Sequence, residues 1–131
     1  MMGARDTVVD AARRMAERRV GSILVVDDRV RPMGIVTDRD ITTRVVAKGR
    51  DPQRTALNDV MTPMPSTVLE SASIESALGE MREGHLRRLP VVNGMQQVVG
   101  IITIDDLVRL FATEISEIAE LIETESPVRE P

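Results

Sequence analysis

Apolar residues recur along the chain in two alternating rhythms. Val8, Ala11, Ala12 and Met15 stand three and four apart, which predicts a helix over residues 8–19. Residues 23–26 are an unbroken apolar run of strand length, and the polar Asp27-Asp28-Arg29 behind them reads as a turn. Residues 33–36 predict a second strand, and residues 38–48 a second helix stopped by Gly49. Residues 50–65 carry Pro52, Pro63 and Pro65 and are expected to form an extended linker. After it come a strand at 66–69, a helix at 73–83 and a strand at 89–92. Asn93-Gly94 is a strong turn signal between strands, followed by a strand at 97–103 and a helix from Ile104 to Ile122. No counterpart of the 66–69 strand is expected before the first helix, where only residues 1–6 stand.

The order of elements repeats because the sequence repeats. A shift of 66 residues, without a gap, lays Ala11 on Ala77, Met15 on Met81, Glu17 on Glu83 and Val25-Val26 on Val91-Val92. The same shift lays Gly34 on Gly100, Thr37 on Thr103 and Asp40 on Asp106. The expected organisation is a first repeat at 1–56 with its leading strand shortened or missing. A second repeat follows at 57–112, and an acidic helix and tail at 113–131.

Composition narrows the chemistry. The 131 residues include no Cys and a single His, His85, so thiolate chemistry and a histidine-based metal or catalytic cluster are excluded. His85 is expected in a polar turn at a helix end. The eight Met read as adaptable core filler where aromatics are lacking. With one Phe and no Tyr or Trp there is no platform for stacking nucleic-acid bases. Residues 113–131 hold six Glu against one Arg, a net of −5, which leaves the remainder of the −4 chain about neutral and disfavours phosphate-backbone binding. No apolar run approaches the roughly 20 residues of a membrane span, and no basic-then-apolar leader precedes Arg5. The expected setting is cytoplasmic, with no nucleic-acid or membrane partner. No phosphate-cradling GxxxxGK[ST] loop is present.

Several segments together resemble tandem cystathionine β-synthase (CBS) domains. They are Ala11-Ala12-Arg13-Arg14-Met15, the run from Val20 to Asp27, the run from Gly34 to Ile41, and Asn58-Asp59-Val60-Met61-Thr62. The second repeat adds the runs from Leu86 to Val92 and from Gly100 to Leu107. The resemblance implies an α/β (α+β) fold of two β-α-β-β-α repeats packed through their sheets into one pseudo-two-fold module. It implies an adenosine-type regulatory ligand (AMP, ADP, ATP or S-adenosylmethionine), no required cofactor and no catalysis. It also implies a homodimer, and a separate effector protein as the receiver of the signal. The other reading is an assembly module that dimerises without a ligand.

Thr-x-x-Asp occurs at Thr37 to Asp40 and at Thr103 to Asp106, each between a strand and a helix. One reading is a ribose clamp, in which the carboxylate accepts from two vicinal hydroxyls beside a helix N-terminus that favours anions. The other is a capping box that satisfies the first amides of the helix. The resemblance implies that one cleft joins Thr37, Arg39 and Asp40 to Ser66, Thr67, Val68, Arg87, Arg88 and Pro90. Backbone near Thr67 and Val68 would read adenine, and the three Arg would hold phosphates. The mirror cleft would use Thr103, Asp106 and Ser22. Gly21 and Ser22 replace Arg87 and Arg88 there, and Asp105 replaces Arg39. This second cleft is therefore expected to be weak, empty or selective for an uncharged adenosine. Leu107, Phe111, Ile115, Ile118 and Ile122 stripe the last helix, which favours a dimer contact.

Overall fold

The computed structural model describes residues 1–64 and 66–125. Each half forms the same small α/β unit. In the first, β1 (Met2–Gly3) pairs parallel with β2 (Ser22–Val26), which pairs antiparallel with β3 (Pro32–Thr37). Helix α1 (Val8–Arg18) packs its Val8, Ala11 and Met15 stripe on the sheet. The Thr7 hydroxyl caps it by accepting from the Asp10 N–H, and Arg19 closes it in the left-handed conformation. In the second half, β5 (Val68–Leu69) pairs with β6 (Arg88–Val92), which pairs with β7 (Val98–Thr103). Helix α3 (Ile74–Gly84) begins at a Ser73 cap and ends at left-handed His85, the counterpart of Arg19. That is the helix-end position expected for His85.

Three features differ from the sequence expectations. The leading strand of the first repeat is present: Met2 pairs with Val25 just as Val68 pairs with Val91, and both leading strands are two residues long. It escapes a pattern search because two residues carry no period, and its position is set by β2. The linker is not merely extended. Residues 57–59 form a 3-10 turn, and β4 (Thr62–Pro63) adds a fourth strand to the first sheet; Pro65 lies outside the described residues. Leu57 and Val60 are buried in the first core. Helix α2 (Asp38–Ile41) is short and continues as a π-helical turn at Thr42–Val46, which buries Val45. The hydroxyls of Thr42 and Thr43 donate to the carbonyls of Asp38 and Arg39. Such back-bonding bends helices.

The Asn93-Gly94 turn forms between β6 and β7, where the sequence places it. Asn93 Oδ1 accepts from the N–H groups of Met95 and Gln97, and Gln96 rather than Gly94 takes the left-handed conformation. The first repeat has the same loop. Asp27 Oδ1 accepts from Arg29 and Arg31, with Val30 left-handed.

Each half has its own core, and a third cluster joins them. Leu24, Val92 and Val98 are buried together with Val26, Val30 and Met64 packed on them. The Val98 N–H donates to the Val30 carbonyl at 2.8 Å, so the two sheets meet along this seam. From the end of β7, α4 (Ile104–Glu125) runs 22 residues without a break. It crosses the expected boundary at 112, and the tail beyond 125 lies outside the described residues. Among the described residues no helix is long and apolar enough to cross a membrane.

Candidate functional site

The two Thr-x-x-Asp motifs start from the same local folding and end in different states. At the first, both capping bonds form. The Thr37 N–H donates to Asp40 Oδ2 at 2.9 Å, and the Asp40 N–H donates to Thr37 Oγ1 at 3.1 Å. Arg44 Nε stands 3.8 Å from Asp40 Oδ1, and the Asp40 side chain is only 15% exposed. This carboxylate is engaged on both oxygens. At the second, the Asp106 N–H donates to Thr103 Oγ1 at 3.1 Å. The Asp106 carboxylate is 58% exposed, with Arg109 at 4.0 Å. The more available carboxylate is therefore Asp106.

A cleft of about 310 Å³ lies where the first repeat faces β7. Arg14 and Arg18 reach it from α1, one helical turn apart. Val20, Ser22, Ile23 and Leu24 wall one side, residues 98–101 of β7 the other, and Met1 borders it. The Arg14 guanidinium donates to the Met1 carbonyl at 2.8 Å. β7 leads directly from this wall to Thr103 and Asp106.

Ser22 is thus placed in the cleft, on the side ranked second from sequence. Arg14 and Arg18 were missed. Their signal was the spacing of four on α1 combined with the repeat, which lays them on Glu80 and Gly84.

The remaining site residues are spread along the second repeat. Ser66 and Thr67 lead into β5, Val68 is buried in the second core, and Pro90 is buried in β6. Arg88 is half-buried. Arg87 Nη2 stands 4.0 Å from Asp105 Oδ1, both well exposed, so Arg87 lies against the start of its own repeat's helix. Arg39 is exposed, and its N–H donates to Asp38 Oδ1. The Asp27 carboxyl is held below its ordinary titration range, first by the Arg31 N–H, then by the Arg29 N–H and the Arg31 guanidinium. Among the described residues no group of three His, Asp or Glu side chains converges to hold a metal.

Residues 3–47 and 57–113 match the family model of the CBS domain. An uncharacterized protein of Methanopyrus kandleri is 32% identical over 105 residues, which are 80% of this chain and 54% of that protein. The chain therefore spans about half the length of that relative. Hypoxic Response Protein I, solved with two coordinated zinc ions, superposes with a TM-score of 0.72 at 33% identity, covering 82% of this chain and 87% of its own. A CBS domain protein of Pyrobaculum aerophilum complexed with AMP superposes with a TM-score of 0.70 at 28% identity, covering 88% of each chain.

Proposed function

This chain belongs to the CBS domain family, and from that premise we propose that it is a regulatory sensor of an adenosine nucleotide. The ligand lies between the α1–β2 side of the first repeat and β7 of the second. The observation that carries the reading is the cleft itself. It has apolar walls for a base and two Arg on one helix face for phosphate, and β7 runs on from its wall to the helix start that carries the exposed Asp106.

Each group has a role its chemistry suits. Arg14 and Arg18 present guanidinium forks to phosphate oxygens. Ile23, Leu24 and Val98 cover the base faces, replacing aromatics with aliphatic side chains. Ser22 offers a hydroxyl to phosphate or sugar, and the Asp106 carboxylate accepts from the ribose hydroxyls while Thr103 holds the helix start. Residues 1–56 hold 12 Lys and Arg against 8 Asp and Glu, so the Arg14 side of the cleft draws an anionic ligand. The mirror cleft, with Thr37, Arg39, Asp40, Ser66, Thr67, Val68, Arg87, Arg88 and Pro90, is the weaker of the two in this reading, because Asp40 already serves its own helix. CBS domain pairs are generally regulatory.

Calorimetry with AMP, ATP and S-adenosylmethionine tests the reading. One ligand should bind, and Asp106→Ala should weaken it far more than Asp40→Ala. Neither heat nor thermal shift with any of the three at millimolar concentration would remove it.

A second reading has its own observation. Val108, Ile115 and Ile118 on α4 are 61%, 66% and 57% exposed. Ile104, Val108, Phe111, Ile115, Ile118 and Ile122 alternate at spacings of four and three, the pattern of a helix-pairing seam. In this reading α4 pairs two copies. Light scattering on Ile115→Glu against the parent decides it: a dimer that becomes a monomer supports the contact, and a parent that is already monomeric at tens of micromolar (about the range of specific interfaces) removes it.

A further inference from the structure

The Asn93-Gly94 turn carries chemistry that neither nucleotide binding nor pairing of α4 uses. Asn93 Oδ1 accepts from the Met95 N–H at 2.9 Å and from the Gln97 N–H at 3.0 Å. Two backbone donors on one carboxamide oxygen polarise its carbonyl and stabilise negative charge that develops there, as an oxyanion hole does. The nucleophile is the next atom group along the chain. Among the described residues no protein acceptor takes the Gly94 N–H, and glycine has no Cβ to shield its nitrogen. Gly94 and Met95 are exposed, so water reaches the turn. The 66-residue shift lays Asp27 on Asn93. The first repeat therefore builds the same loop around a carboxylate, with Asp27 Oδ1 accepting from the Arg29 and Arg31 N–H groups at 2.9 Å each. An acid at position 93 fits this loop.

We propose that Asn93 is a self-modifying site: the turn deamidates in the folded protein, and the carboxylate it creates loosens the seam between the repeats. The Gly94 N–H gives its proton to solvent base, and the nitrogen bonds to Asn93 Cγ. The Cγ–Nδ2 bond breaks, and Nδ2 leaves as ammonia with a proton taken from water. Water then opens the cyclic imide. Attack at Cγ gives aspartate, and attack at the backbone carbonyl gives isoaspartate. Water is the sole co-reactant, and nothing is oxidised or reduced. The consequence follows from Gln97. Asn93 Nδ2 donates to Gln97 Oε1 at 3.2 Å, which turns Gln97 Nε2 toward the Arg29 carbonyl of the other repeat at 3.4 Å. A carboxylate has no N–H to give. Gln97 must present its own NH2 to it, and its Oε1 then faces the Arg29 carbonyl oxygen. The cross-repeat bond is lost, next to the bond from the Val98 N–H to the Val30 carbonyl that closes the seam. In the first repeat Arg31 Nε holds the second oxygen of Asp27 at 2.8 Å, whereas position 97 offers no cation.

The full chain is aged at neutral and mildly alkaline pH, folded and in urea, and peptide mapping reads aspartate and isoaspartate at position 93. Conversion is expected at Asn93 and not at Asn58, the other asparagine, whose neighbour Asp59 carries a Cβ. It should quicken as pH rises, because the Gly94 nitrogen must lose its proton. It should run at least as fast in the folded chain as in urea, because only the fold sets two donors on Oδ1. The discriminating variant is Gly94→Ala. Gly94 lies outside the left-handed region, and a Cβ there meets nothing within 4 Å among the described residues. The variant therefore folds as the parent does and should lose the conversion over the same interval. Asn93→Asp, made directly, reads the consequence: hydrogen exchange of the Val98 amide should speed up about two- to tenfold, the net loss of one hydrogen bond. Slower conversion in the folded chain than in urea, conversion that survives Gly94→Ala, or unchanged Val98 exchange in Asn93→Asp overturns the proposal.

Discussion

The first and second repeats are one design built twice, with opposite outcomes at the same sheet edge. In the first, β3 is covered by β4, Gly34 is buried, and Asp40 is spent on its helix. In the second, β7 pairs with β6 alone among the described residues, Gly100 is exposed, and Asp106 keeps an available carboxylate. The helices diverge as well. α2 stops after one turn and relaxes into a π turn, whereas α4 continues for 22 residues. A duplicated motif therefore leaves its carboxylate in two different states, engaged in one copy and exposed in the other, and the surroundings decide which.

The harshest test of this comparison lies in the cores. Leu57 and Leu89 are fully buried, one in each of the two cores. Either truncation to Ala should cost about 2–5 kcal/mol. Because Leu24, Val92 and Val98 join the halves, both variants should unfold in a single urea transition. Two separate transitions would show that the seam does not couple the repeats.

Next in size are the glycines and the cleft. A Cβ on Gly34 would stand 2.6 Å from the Thr62 carbonyl oxygen, whereas among the described residues one on Gly100 meets nothing within 4 Å. Gly34→Val must displace β4 and should destabilise by about 1–3 kcal/mol, whereas Gly100→Val should be near neutral; equal losses in thermal melts would erase the contrast between the edges. Arg14→Ala and Arg18→Ala should each weaken AMP about tenfold or more in calorimetry, since a hydrogen bond to a charged group contributes roughly 1.5–3 kcal/mol. Unchanged affinity in both would move the phosphate out of this cleft.

Smaller effects separate the caps. Thr37→Ala removes one half of a reciprocal box and should cost about 1 kcal/mol. Thr103→Ala should cost less, because only one bond is made there, and chemical denaturation of the two variants gives the order. Least of all, Asp27→Asn copies the Asn93 of the other repeat. The Asp27 carboxyl is held low chiefly by the Arg31 N–H, so its contribution is full above the ordinary aspartate range, about pH 4. It is lost as pH falls through the lowered value. The variant should be slightly less stable than the parent at neutral pH and converge on it in acid, read as urea midpoints at successive pH values.

Much of this molecule was written in the order of its residues. The stripe of Val8, Ala11 and Met15, the apolar runs at 23–26 and 89–92, and the 66-residue echo determine the helices, the main strands and the family, because periodicity is local and repeats are additive. The Thr-x-x-Asp pairs announced both of their roles. Tertiary structure alone decided which copy keeps an exposed carboxylate, since that depends on whether Arg44 and the Thr37 N–H have already claimed it. It also placed Met2–Gly3 and Thr62–Pro63 as strands. Two-residue strands have no period of their own and exist only because β2 and β3 offer unpaired edges. The cleft was hidden for the same reason: Arg14 and Arg18 read as ordinary helix-surface cations until the seam at Leu24 and Val98 brings β7 opposite them.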